Sequence, residues 1–230
     1  MFSKLKTLTN NQLKIIAMVT MLIDHIGKIL LNYNPLFTAI GRISFPIFAY
    51  MIAEGCVHTK NRKRYFLTIF SMSILFQAIY FALSRSFYMN ILFTFSLSII
   101  TIYCIDLYRK SKKFLNLLLL IFEVLAIVFI ALFLPKILSH TDFTIDYGIL
   151  GVFLPVIIYL MPTKTLKLIS AAAMLSLMAL ISYNLKWFAL LAIPLLALYN
   201  GKRGNLNLKY LFYIFYPAHF VLLYLIDMII

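Results

Sequence analysis

Hydrophobic runs long enough to cross a bilayer recur from residue 12 to residue 229, and they leave this chain few ways to fold. A hydrocarbon core about 30 Å thick needs roughly twenty apolar residues in a helix. Runs separated by short polar breaks cover 12–32, 38–58, 65–84, 88–108, 114–134, 147–161, 167–183, 186–199 and 209–229. They predict an all-α, polytopic integral membrane protein of about nine transmembrane helices, with residues 1–230 as one membrane-embedded domain. Two of the runs are short for the bilayer and predict tilted or re-entrant segments. Charged residues make up 12% of the chain, about half the share of an ordinary soluble domain. No polar stretch is long enough for a separate soluble domain.

Charge placement orients the chain. The formal net charge of +14 would point a soluble protein toward nucleic acid, but here the basic residues sit in the breaks and no nucleic-acid partner is expected. One side of the membrane would collect Lys4, Lys6, Lys14, "KNRKR" (60–64), "RKSKK" (109–113), Lys164, Lys167, Lys202, Arg203 and Lys209. The other would keep Arg85, Lys136 and Lys186. This bias predicts a cytoplasmic N-terminus and an outer C-terminus across the plasma membrane, with basic loops also touching anionic lipid. Lysines ahead of the first run resemble the start of a signal peptide. Asp24 and His25 interrupt that run and no small-residue cleavage site follows, so a retained helix is predicted. Cys56 and Cys104 lie far apart in apolar surroundings, which predicts buried thiols, no disulfide and no metal site.

The informative residues are those a membrane helix should not carry. "MVTMLIDHIGKILL" (18–31) places Asp24, His25 and Lys28 in the first span, where a charge at the bilayer centre costs about 2.5–3.5 kcal/mol by insertion scales. Asp24 and Lys28 are spaced to pair on one helix face, which leaves His25 unexplained. Lys14 precedes His25 by about three helical turns, so a cation near the inner edge and an imidazole at depth share a face. The second span, "GRISFPIFAYMIAEGCVHTK" (41–60), carries Arg42 at a depth matching Asp24 and His25. Pro46 is expected to bend it and free a carbonyl, and Glu54 and His58 are spaced to pair near its inner end. The last span carries His219 mid-membrane beside Pro217, and Asp146 and Tyr147 open the sixth span at the outer boundary. Asp24, His25, Arg42 and His219 together predict a polar cavity within the membrane.

The segments "LKIIAMVTMLIDHIGKI", "GRISFPIFAYMIAEG", "DYGILGV", "LYNGKRG" and "YLFYIFYPAHFVLLYLI", in that order, resemble the TraX family over nearly the whole chain. Lys14 and His25, with ten residues between them, also resemble the Arg/Lys-x10-His signature of the family-three membrane acyltransferases. The resemblance implies a membrane acetyltransferase. The named TraX member is implicated in N-terminal acetylation of conjugative pilin. In the wider group the histidine is regarded as catalytic and the basic residue as lying near the donor path.

It further implies acetyl-CoA as a cytoplasmic donor, and a peptide N-terminus such as that of pilin, or a glycan, as an acceptor reached from outside. On that reading His25 acts with Asp24, Arg42 and His219, while Lys14, Arg62, Lys63, Arg64, Lys202 and Arg203 hold the donor's phosphates. Asp146, Tyr147, Glu54 and His58 are the candidate substrate contacts. An imidazole titrating near neutral pH suits a general base, with a covalent acetyl-histidine as the alternative. Asp24 is expected to hold the tautomer of His219 or to neutralise Lys28 or Arg42. Arg42 is expected to stabilise an oxyanion or bind an anionic acceptor.

The rival class is a small-molecule or lipid-linked transporter or flippase using the same residues as a proton relay. It predicts internal repeats with matching broken helices, and the sequence contains no fixed-period repeat. A Gly-x-Ser-x-Gly elbow, a paired-Asp protease motif and a His-x3-His metal spacing are likewise absent from the sequence.

Overall fold

The computed structural model describes residues 7–182, 185–205 and 208–230. Lys4 and Lys6, two of the expected cytoplasmic cations, and the side chain of Lys209 lie outside that description. The described residues are helical with no β-strand, as the apolar runs predict. The order is α1 (Asn10–Ile29), α2 (Pro35–Gly41), α3 (Ser44–His58), α4 (Arg62–Ser84), α5 (Ile91–Ser111), α6 (Phe114–Val128), a π-turn (Phe129–Phe133) and α7 (Leu134–Ile137). Then come α8 (Gly148–Leu160), α9 (Lys164–Ser182), a 3₁₀ segment (Leu185–Leu191), α10 (Ala192–Ala197) and α11 (Lys209–Asp227).

Among the described residues, five stretches are long and apolar enough to cross a membrane: Pro35–His58, Arg62–Ser84, Ile91–Ser111, Phe114–Ile137 and Lys164–Ile181. The other four expected spans differ for identifiable reasons. α1 has the length, at 20 residues, but Asn10, Asn11, Gln12, Lys14, Asp24, His25 and Lys28 dilute its hydropathy. Gly148–Leu160 and Leu185–Ala197 are apolar but shorter, and α11 is 19 residues long with Ile214–Asp227 as its described apolar stretch.

Helix ends follow local chemistry. Thr9 and Gln12 close a capping box at the start of α1. Asn34, Asn61 and Asn90 accept backbone N–H groups at the starts of α2, α4 and α5. Arg85 and Lys112 end α4 and α5 in the left-handed region, at φ 54° and 53°. The second expected span is interrupted: the chain turns at Arg42 and Ile43, and the Ser44 hydroxyl donates to the Gly41 carbonyl (2.7 Å). Pro46 lies in the first turn of α3, and the carbonyl its missing N–H leaves unbonded is that of Arg42, where the Pro35–His58 stretch is interrupted.

The chain divides into two compact units, Met1–Met51 with Met161–Ile230, and Ile52–Leu160. In the first, α1 packs on α2 and on α11, and α9 packs on α10 and the 3₁₀ segment. Two glycines let α1 and α2 approach closely. A Cβ on Gly27 would fall 2.3 Å from Cβ of Phe37, and one on Gly41 would fall 2.2 Å from Cβ of Asp24. Small residues serve helix contacts in membranes in this way, since no hydrophobic drive separates helix from lipid.

In the second unit α5 is the centre, packed on α4, α6 and α8. Its buried hydroxyls bond outward: Thr94 to the Asp146 carbonyl (2.9 Å), Ser98 to the Val152 carbonyl (2.6 Å) and Thr101 to Glu123 (2.7 Å). Phe114–Ile137 has a mean hydropathy of 3.2 and exposes Phe114, Leu115, Phe122 and Leu125, as a lipid-facing helix should.

Candidate functional site

Two sequence-distant histidines meet between α1 and α11. Nδ1 of His25 lies 2.7 Å from Nε2 of His219, and Nδ1 of His219 lies 2.7 Å from the Phe215 carbonyl oxygen. The two rings are parallel to within 6° with centroids 5.0 Å apart, so they meet edge to edge across the short N···N contact. Phe220 closes one side of His25 with its ring edge (5.7 Å), and Phe215 stacks on His219 (4.7 Å).

This row assigns the tautomers. A carbonyl only accepts, so Nδ1 of neutral His219 carries its proton and Nε2 presents a lone pair. Nδ1 of His25 must then donate to it, which leaves Nε2 of His25 unprotonated and able to accept a proton. The Phe215 carbonyl, one turn before His219 on the same helix, therefore does the work expected of Asp24.

Asp24 faces elsewhere. Its Oδ2 lies 2.6 Å from Nζ of Lys28, the spacing read from sequence, and its side chain packs on Gly41 of α2. Gly41 immediately precedes Arg42 at the α2–α3 turn, so Arg42 sits beside the Asp24 level of α1. His25 and Asp24 thus present to different neighbours, α11 and α2.

The start of α1 gathers cations. The loop 198–204 folds over it: Leu8 N–H donates to the Leu198 carbonyl, Asn10 N–H to that of Lys202 (2.9 Å), and Asn11 N–H to that of Arg203 (3.1 Å). Gly201 and Gly204 take φ values of 77° and 91°, which only glycine adopts readily. Turning the carbonyls of Lys202 and Arg203 inward leaves both side chains exposed. One turn into α1, Lys14 lies over the Phe212 ring (5.2 Å). Lys14 against Phe212 at one level and His25 against His219 at another show that α1 and α11 run parallel.

The remaining candidates belong to the second unit. Nε2 of His58 lies 3.5 Å from Glu54. Arg62 is engaged by Asp106 (2.5 Å), which also accepts from the Tyr159 hydroxyl (2.7 Å). Sequence reasoning gave Asp106 no role, since a partner 44 positions away leaves no local signal. Lys63 and Arg64 line a shallow groove along α4 with Asn61 and Thr68. Asp146 accepts from the Tyr88 hydroxyl (2.6 Å), and Tyr147 takes φ 58° just before α8. Among the described residues no group of three or more His, Cys, Asp or Glu side chains is placed to hold a metal.

The family model described as TraX protein matches residues 9–227. The chain belongs to the TraX family. Within the match fall the histidine row, the Lys14 turn and the 198–204 loop. A relative described as "Probable fimbrial assembly protein FimC, serogroup H1" from Dichelobacter nodosus is 28% identical over 236 residues, covering 92% of this chain and 93% of its own. No solved structure matches. TraX membership and the apolar helices identify a membrane protein.

Proposed function

We propose that this TraX-family chain is a membrane-embedded acetyltransferase of the plasma membrane. It moves an acetyl group from cytoplasmic acetyl-CoA to an amine or hydroxyl acceptor reached from the outer side. The observation that carries this reading is the Phe215–His219–His25 row, which leaves one imidazole nitrogen, Nε2 of His25, as a positioned base. The name of the fimbrial relative favours a pilin or other fimbrial subunit as acceptor, with a glycan as the alternative.

Acetyl-CoA supplies an acetyl thioester, already activated toward nucleophiles. Nε2 of His25 takes the proton from the acceptor N–H or O–H as that atom attacks the acyl carbon. The carbon–sulfur bond breaks, and the same nitrogen returns the proton to the departing sulfur. His219 holds the His25 ring in the required tautomer throughout. The parallel course of α1 and α11 supports termini on opposite sides, and the bias of basic residues makes the N-terminal side the cytoplasmic one. The cation-rich start of α1 then lies toward the donor.

The test is acetyl transfer from labelled acetyl-CoA to a pilin N-terminal peptide by protein in lipid nanodiscs. His25→Ala should lower turnover by about 10²–10⁴, the usual contribution of a general base, while donor binding persists. Wild-type turnover in that variant would sink the assignment.

A further inference from the structure

Phe114–Ile137 is the most apolar of the five long stretches, with a mean hydropathy of 3.2, yet Glu123 lies within it. An ionisable side chain at such a place is costly and points to a use. No ion pair among the described residues includes Glu123. Lys113 precedes it by ten positions and Lys136 follows it by thirteen, about 15 Å and 20 Å along the axis. On α5, packed against α6, the first cation past Thr101 is Arg109, about 12 Å further along.

Glu123 instead meets the hydroxyl of Thr101. Oε1 lies 2.7 Å from Oγ1 of Thr101, and that same Oγ1 lies 2.9 Å from the Leu97 carbonyl oxygen. Thr101 is buried, and its hydroxyl has one hydrogen to give. A carbonyl only accepts. When the Thr101 hydrogen goes to Leu97, Oε1 must bring the hydrogen for the second short contact, and Glu123 is a carboxylic acid. The charged alternative turns the Thr101 hydrogen to Oε1 and sets two oxygen lone pairs against each other at Leu97. It also leaves Oε2 as part of a carboxylate, buried and without a hydrogen-bond partner among the described residues. In apolar surroundings an unpartnered charge costs far more than an unpartnered neutral carbonyl. Hydrogen count and desolvation cost agree.

We propose that Glu123 and Thr101 form a proton-binding site within the membrane. Glu123 holds the proton as a neutral acid and donates to Thr101, which donates in turn to the Leu97 carbonyl. The proton is the ligand, and it joins α6 to α5. Its removal requires Thr101 to turn from Leu97 to Glu123 and Oε2 to gain a donor, so α6 must shift on α5 or admit water. The π-turn Phe129–Phe133 begins six residues after Glu123 and gives the stretch a point at which such a shift is absorbed. Cys104 and Tyr108 follow Thr101 on its face of α5, Tyr103 and Asp106 engage Arg62, and the π-turn carries no titratable side chain. The site lies in the second unit, and it stands or falls independently of the acetyltransferase reading.

The experiment treats the full chain in zwitterionic nanodiscs with dicyclohexylcarbodiimide, an apolar reagent that dissolves in the lipid, and locates adducts by mass spectrometry. Glu123 is half-buried beside the exposed Phe122 and Leu125, so the reagent can reach it. The acid O–H adds across one C=N bond, its oxygen bonding to carbon and its hydrogen passing to nitrogen. An acyl shift from that oxygen to the second nitrogen leaves a stable acylurea. An adduct at Glu123 is expected, lost in Glu123→Gln, while a water-soluble carbodiimide spares the site. Infrared spectra at neutral pH are the second measurement. Glu123→Gln, whose amide still donates to Thr101 and keeps the fold, should remove a carboxylic acid C=O band. Thr101→Val should move that band to higher wavenumber as its hydrogen bond is lost. Loss of a carboxylate band in Glu123→Gln, or labelling of Glu123 by the water-soluble reagent and not the apolar one, would overturn the proposal. An acid band unmoved in Thr101→Val would overturn Thr101 as the acceptor.

Discussion

A histidine becomes a directed base when its other nitrogen is spoken for, and on the proposed mechanism the direction at His25 is set by the Phe215 carbonyl, two hydrogen bonds away through His219. His219→Leu removes the acceptor for Nδ1 of His25 and frees that ring to take either tautomer. Turnover should then fall by at least about tenfold, part of the roughly 10²–10⁴ that a positioned base contributes. His219→Gln, whose amide oxygen can accept from Nδ1, should keep most of the activity. Equal losses in both variants at unchanged thermal stability would show that His219 does not act through the tautomer.

Gly41→Ala tests a neighbouring residue with no chemical role. Its Cβ would lie 2.2 Å from Cβ of Asp24, and relieving that clash should cost about 1–3 kcal/mol, read as a lowered unfolding temperature in detergent. The Asp24–Lys28 pair was legible in sequence because helix spacing alone brings it together. The His25–His219 bond was not, because 194 positions separate its members and only the packing of α11 on α1 joins them. The Phe215 carbonyl had a weaker trace, lying four residues before a histidine on one helix.

Among the elements, α5 shows how a membrane helix is fixed by polar ends within an apolar middle. Asn90 accepts from the N–H groups of Leu92 and Phe93, and its amide donates to Gln77 and to the Ser73 carbonyl on α4. Asn90→Ala removes a cap and strands buried polar groups, so a loss of about 1–3 kcal/mol is expected. Circular-dichroism melts would measure it. An unchanged melt would mean that water or lipid headgroups replace the side chain.

The segments before α5 and α8 are clasped outside the helices. Asp142 accepts from the Ser86 hydroxyl and the Phe87 N–H, and these bonds hold its carboxyl below the ordinary value. A depressed carboxylate stabilises the fold above its unfolded pKa and loses that contribution as pH falls through the folded value. Protection of the Phe87 amide, relative to its intrinsic exchange rate, should therefore hold at neutral pH and be lost only below about pH 4, and Asp142→Asn should remove that pH dependence. The sequence located this loop by its polarity. It gave no sign of the clasp, which joins residues 55 apart, whereas Pro46 marked the interruption of the second span, which falls one turn earlier at Arg42.

For the whole molecule, composition made the membrane class and the helical fold plain. The number of full crossings was harder to read, since a run such as α1 can have the length while polar residues thin its hydropathy. The parallel course of α1 and α11 yields a direct check. Thr7→Cys and Met228→Cys, each in a Cys56→Ser/Cys104→Ala background, should differ in intact cells. A membrane-impermeant maleimide should label only Met228→Cys. Labelling of Thr7→Cys alone would reverse the proposed orientation, and labelling of both would place the two termini on one side and overturn an odd number of crossings.

The loop that covers the start of α1 has a mechanical meaning. Its carbonyls plug the open amides of that helix, so lifting the loop would uncork α1 at the end from which the helix carrying His25 is built. A plug of this kind cannot serve as a lid. Whatever anion exchanges at this end must do so by the swing of lysine and arginine side chains over a stationary backbone.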